Sequence, residues 1–118
     1  MNPFDRHASR YSDAWERDPS GAAMRRAVQR AFAARIPAGA RVLDLGCGIG
    51  VDAAFLADRG DEVTAVDGSA GMLVEAAARV GGRATLRQVD LGAPDDLPDG
   101  PYDAVLANFA VLNCVPLA

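Results

Sequence analysis

Arg41-Val42-Leu43-Asp44-Leu45-Gly46-Cys47-Gly48-Ile49-Gly50-Val51 is the stretch that decides the fold. Arg41–Leu45 is short and mostly apolar, as expected of a strand buried on both faces. Gly46–Gly50 is a glycine-rich turn, and a helix is predicted from about Val51 to Arg59, with Gly60 as its stop. Glycine at a strand-to-helix turn permits positive φ and lets a ligand approach the backbone. The N-terminus of the following helix offers unpaired N–H groups and a partial positive charge, which suit a carboxylate or phosphate.

Working outward, the same rhythm repeats. Glu62–Asp67 reads as a second strand, Ala70–Val80 as a helix ended by Gly81-Gly82, and Ala84–Val89 as a third strand. An acidic, proline-containing connection, Gly92–Pro101, leaves little room for a crossover helix before a fourth strand at Tyr102–Asn108. Strands alternating with helices predict a parallel α/β sheet with right-handed crossovers. Upstream, Phe4, Ala8, Tyr11 and Trp15 share one helical face, and Asp18-Pro19-Ser20-Gly21 interrupts it. Ser20 is placed to cap a second helix with Met24, Val28, Ala31, Phe32 and Ile36 as its buried stripe. Its Arg25, Arg26, Arg30 and Arg35 are expected mostly on a solvated face, and Pro37-Ala38-Gly39 ends it. The chain therefore reads as one domain over 1–118, with a helical cap (1–38) ahead of an α/β core (39–118).

Composition narrows the function. Half of the 118 residues are apolar and 24% are charged, ordinary for a globular domain. No apolar run approaches the roughly 20 residues of a membrane helix. The N-terminus lacks the apolar core of a secretory signal, so a cytoplasmic protein without membrane partners is expected. Residues 1–35 carry seven Arg against four acids, and residues 36–118 five Arg against twelve acids, which sum to the net charge of −4. An acidic chain is a poor nucleic-acid ligand, and none is expected. All twelve basic residues are Arg, so the lysine of a Walker-A loop and Schiff-base chemistry are excluded. His7 is the single histidine, and Cys47 and Cys114 form no metal-binding spacing, so no metal is expected. Cys47 reads as a packing residue.

Two acids qualify the glycine turn. Asp67 ends the second strand 21 residues after Gly46, the placement from which a carboxylate accepts both hydrogen bonds of a ribose diol. Asp44 stands two residues before Gly46 and suits a cationic group better than a pyrophosphate. The dinucleotide fingerprint GxGxxG would need glycine at position 51, which is Val51. Ribose at one end and an α-amino acid at the other describe S-adenosylmethionine. At this point the chain resembles the class I, Rossmann-like S-adenosylmethionine-dependent methyltransferases of small molecules. Val42–Gly50 is similar to their first motif, Val63–Ser69 with Gly71-Met72-Leu73 to the second, Gln88–Leu91 to the third and Tyr102–Asn108 to the fourth. Phe4-Asp5 to Tyr11 resembles their N-terminal segment.

The resemblance implies strands one to four, in order 3-2-1-4, of a seven-stranded sheet, and thus a truncated fold. It implies that Asp44 and the backbone of Gly46, Cys47 and Gly48 hold the methionine moiety. Asp67 and Gly68 take the ribose side, Met72 the adenine face, and Asp90 with the Leu91 N–H the adenine edge. The Asn108 carbonyl receives the ammonium and Tyr11 reaches the cofactor from the N-terminal helix. Met72 and Tyr11 are equally readable as core. Displacement at a sulfonium needs alignment more than acid or base, so the lack of a catalytic dyad is compatible with an enzyme, and no catalytic residue is assigned. Asn113 precedes Cys114 where DNA cytosine methylases have proline, and Asn108-Phe109-Ala110-Val111 lacks the Pro-Pro-aromatic sequence of amino-group methylases. Those substrates are disfavoured, and the resemblance implies a small-molecule acceptor, with S-adenosylhomocysteine as product. A non-catalytic adenosine-ligand module and a nicotinamide oxidoreductase are the alternatives. The strand at 102–108 would be an unprotected edge, open to self-association or a partner chain. Replacing Asp67 is expected to cost ligand affinity and little stability.

Overall fold

The computed structural model describes residues 19–90, 92 and 96–107. Its elements run α1 (Pro19–Arg35), β1 (Arg41–Leu45), α2 (Val51–Asp58), β2 (Glu62–Asp67), α3 (Ala70–Val80), β3 (Thr85–Gln88) and β4 (Ala104–Ala107). The strands form one parallel sheet in the order β3-β2-β1-β4. That is the order of the Rossmann-like class. In register, Asp44 lies opposite Ala65 on one side and Leu106 on the other.

The alternation of the pleat sorts side chains into two layers. Val42, Val63, Ala65 and Leu106 point to one face, where Ala53 and Leu56 of α2, Ala76 and Val80 of α3, and Val28, Phe32 and Ile36 of α1 cover them. Leu43, Val66 and Val89 point to the other, against Leu45, Leu97 and Tyr102. All three helices of the described residues pack on the first face. On the second, Val105 stays 54% exposed. No helix in the described residues is long and apolar enough to cross a membrane.

The N-terminal rim of the sheet is braced by ionic groups. Asp61 accepts hydrogen bonds from the Gly39 and Ala40 N–H groups at 2.8 and 3.1 Å. Arg59 pairs with Asp61 at 3.1 Å, donates to the Ile36 carbonyl at 2.5 Å and stacks over Phe32 and Phe55 at 4.8 and 5.9 Å. One guanidinium thus ties α1 to α2 and to the start of β2. Asp103 caps the start of β4 by accepting the Arg41 N–H at 2.8 Å, and Arg83 pairs with Asp58 beside the entry to β3.

Several sequence expectations are corrected. Ser20 lies inside α1 with Pro19 already helical before it, so it is not the cap of this helix. Its buried stripe is rotated: Met24 is 59% exposed and Ala31 is exposed, whereas Arg25 and Gln29 turn inward beside Val28 and Phe32. β3 is one residue shorter than predicted at each end, and β4 begins at Ala104, two residues later than predicted. The Gly92–Pro101 connection contains no α-helix among its described residues, as expected.

Candidate functional site

All four strands end at the same rim, and the chemistry collects there. The glycine turn is fastened before any ligand arrives. The Gly46 and Cys47 N–H groups both donate to the Val66 carbonyl, at 2.8 and 2.9 Å, and the Gly50 N–H donates to the Cys47 carbonyl at 3.0 Å. The Gly48 N–H donates to Asp67 Oδ2 at 2.8 Å. The Gly46, Cys47 and Gly48 N–H groups are therefore engaged within the fold itself. From the α3 side, Ile49 packs on Met72, and Arg79 Nε donates to the Ile49 carbonyl at 3.2 Å.

Two glycines of the turn have different reasons to be glycine. Gly50 has φ +87°, and a Cβ there would stand 2.9 Å from Ala76 Cα, so it permits contact between the turn and α3. Gly48 has φ +55°, and a Cβ would meet nothing within 4 Å. Its open side is where a ligand can lie against the backbone.

Asp44 is 1% exposed, and its Oδ2 has no hydrogen-bond partner among the described residues. Burial holds its carboxyl well above the usual carboxylate range, Asp52 and Asp67 push the same way, and Arg25 opposes them. An acid in that condition is a latent counter-ion for a cation. Asp67 differs: besides Gly48 it accepts the Ser69 N–H at 2.9 Å through Oδ1, so both oxygens organise backbone. Ser69 in turn caps α3 by accepting the Met72 N–H at 3.2 Å. The expectation that Asp67 is idle for stability is overturned by these two bonds. Gln88 Nε2 reaches the Gly68 carbonyl at 3.3 Å, and Asp90 Oδ1 accepts the Gly92 N–H at 2.9 Å, leaving the Asp90 side chain exposed at the rim.

Met72 is 3% exposed and packs with Ile49 and Val51, as core does. Cys47 is buried in the main cluster, and burial pushes its thiol far above the ordinary range, which fits a packing residue. Tyr11, Leu91 and Asn108, like His7 and Cys114, lie outside the described residues. No group of three or more metal-ligating side chains occurs among the described residues.

Sequence reasoning missed Asp52. It occupies the first turn of α2, is 6% exposed, accepts from Gln29 Nε2 at 2.9 Å and lies 3.9 Å from Arg25 Nε. Its carboxylate answers the positive end of the helix that a phosphate would otherwise use. Helical spacing in α1 was the available signal: Arg25, Gln29, Phe32 and Ile36 follow one stripe.

Residues 42–118 match the family described as a methyltransferase domain. The chain belongs to that family. A demethylmenaquinone methyltransferase of Beutenbergia cavernae is 43% identical over 94 residues, covering 78% of this chain and 37% of that protein. A malonyl-[acyl-carrier protein] O-methyltransferase of Enterobacter lignolyticus is 43% identical over 86 residues, covering 71% and 34%. The chain thus spans about a third of the length of the curated relatives it matches. Among solved structures, a DhpI complex with S-adenosylhomocysteine superimposes with a TM-score of 0.73 at 31% identity, over 88% of this chain and 48% of that one. A TehB-like methyltransferase of Corynebacterium glutamicum shares the fold, with a TM-score of 0.76 at 22% identity, over 94% of this chain and 59% of that one.

Proposed function

We propose that this chain forms the S-adenosylmethionine-binding part of an enzyme that methylates a small molecule. The observation that carries the proposal is the buried Asp44 carboxyl, whose Oδ2 has no partner among the described residues, beside a turn whose Gly46, Cys47, Gly48 and Gly50 N–H groups are already bonded. Such a rim repels a pyrophosphate and favours a ligand that brings a cation, here the ammonium of the methionine moiety. Gly48 offers an open backbone face. Asp67, fixed by two N–H donors, keeps lone pairs for the ribose hydroxyls, with Gly68 beside it. Asp90, exposed at the rim and bonded to the Gly92 N–H through Oδ1, keeps acceptor capacity for an adenine amino group, and Met72 is assigned to the ring side. Leu91, Asn108 and Tyr11 complete the set proposed from the family resemblance.

When bound, S-adenosylmethionine would supply the methyl carbon for an in-line displacement by the acceptor. This chain's share of the work is to bind and orient. The names of the relatives point to two kinds of acceptor, a quinol-type ring and a malonyl group on a carrier. A small-molecule acceptor in a cytoplasmic setting is part of the proposal. Calorimetric titration of the 118-residue chain with S-adenosylhomocysteine and with NAD is the test. Tighter binding of the homocysteine ligand is expected, and a preference for NAD would sink the reading.

A further inference from the structure

Asp52 matches no expectation drawn from the motifs, yet it is buried and held by side chains from another helix. It is almost fully buried, and two residues of α1 hold it, Gln29 by a 2.9 Å hydrogen bond and Arg25 by an ion pair at 3.9 Å. Buried carboxylates are retained only with such partners. Asp52 also stands close enough to Asp44 to raise its hold on a proton. The charged groups that face Asp44 come from three elements: Asp52 from α2, Asp67 from β2 and Arg25 from α1. Cys47 of the adjoining turn keeps its proton.

Resting on the reading of the rim as a cofactor site, we propose that Asp52 is a positioning residue for ligand binding, held by Gln29 and Arg25, through which α1 sets the charge that meets the ligand's ammonium. An ammonium that settles beside Asp44 needs that acid without its proton. The ligand therefore competes with a proton at Asp44, and affinity rises with pH until Asp44 is ionised. Asp52 and Arg25 act on that competition with opposite signs. Taking away the neighbouring acid frees Asp44 of its proton at lower pH, and taking away the cation delays the loss to higher pH.

The test is the affinity of the full 118-residue chain for S-adenosylhomocysteine across the acid-to-neutral range, for the unaltered protein, Asp52→Asn and Arg25→Met. The Asp52→Asn variant keeps an amide oxygen for the Gln29 donor, so the contact with α1 survives. The midpoint of the affinity profile is expected to fall by at least about half a pH unit in Asp52→Asn and to rise in Arg25→Met. Loss of packing alone would weaken both variants without moving their midpoints in opposite directions. If Asp52→Asn does not fold, the direction of the shift in Arg25→Met decides the question alone. Binding by the unaltered chain with no pH dependence, or with midpoints that do not move, overturns this inference and leaves the cofactor reading standing. No binding at any pH overturns both.

Discussion

Asp44→Asn should make the protein more stable and less able to bind, two effects of one atom change. In the folded chain Asp44 is sealed from water with one oxygen unpartnered, and two other acids push on it. In the unfolded chain it ionises near its ordinary value of 3.8. Above that pH the folded state binds more protons than the unfolded state, so stability falls as pH rises, until Asp44 ionises in the fold. The slope from this one group is up to about 1.4 kcal/mol per pH unit. Asparagine has nearly the same shape, carries no such slope, and offers N–H donors to a neighbourhood rich in carboxylates. At neutral pH the gain should be about 1–3 kcal/mol, the ordinary cost of an unsatisfied buried polar group. That corresponds to roughly 4 °C in melting temperature for each kcal/mol in a chain of this size. Near pH 4 the two proteins should melt within about 1 kcal/mol of one another, because so close to the unfolded-state value the pH-linked loss has only begun to accumulate. Affinity for S-adenosylhomocysteine should fall at least about tenfold, the loss of one charge-assisted contact. Thermal melts of both proteins at pH 4 and pH 7, with calorimetry at pH 7, measure all three quantities. An Asp44→Asn variant less stable than its parent at neutral pH, or a stability difference that ignores pH, would refute the account of Asp44.

Asp67→Ala should now cost stability as well as affinity, about 1–3 kcal/mol for the two backbone N–H groups it leaves without a charged acceptor; an unchanged denaturant midpoint would show that water replaces it. Gly50→Ala should cost about 2–4 kcal/mol, combining a strained positive φ with a clash against Ala76. Gly48→Ala should cost only about 1 kcal/mol of folding yet obstruct the ligand. Unfolding curves paired with titrations separate these cases, and equal losses of stability at the two glycines would contradict the geometry.

The sheet and its order were legible because the signals were local. Val42, Leu43 and Leu45 put apolar side chains on both faces of the strand, the turn glycines fall between strand and helix, and Ser69 and Gly81 mark the two ends of α3. Asp44 and Asp67 could be singled out for the same reason, since one stands a residue before the end of β1 and the other ends β2, each beside a turn. What could not be read were relations across the fold. Asp52 looks like any acid in a first helical turn until α1 is seen to bring Gln29 against it. The buried face of α1 was misjudged because its stripe mixes polar with apolar residues: Arg25 and Gln29 go inward while Met24 does not. The bonding of the turn was also hidden, because the Val66 carbonyl that accepts two of its N–H groups lies in another strand.

The ion pairs and acid caps around Asp61, Asp103, Arg59 and Arg83 lie where the strands begin, a full strand length from the rim where Asp44, Asp67 and Asp90 gather. Parallel strands enforce that separation. Every connection must return to the same starting side, so any residue just before a strand is remote from any residue just after one. The molecule therefore offers two nearly independent surfaces for change. Substitutions before strands can be accumulated for durability with little consequence for ligand preference. Changes after strands can alter what is bound while the opposite side holds the architecture. A lineage diversifying what it binds, or an engineer doing so deliberately, could leave Arg59 and Asp61 untouched and vary only the ends of the strands.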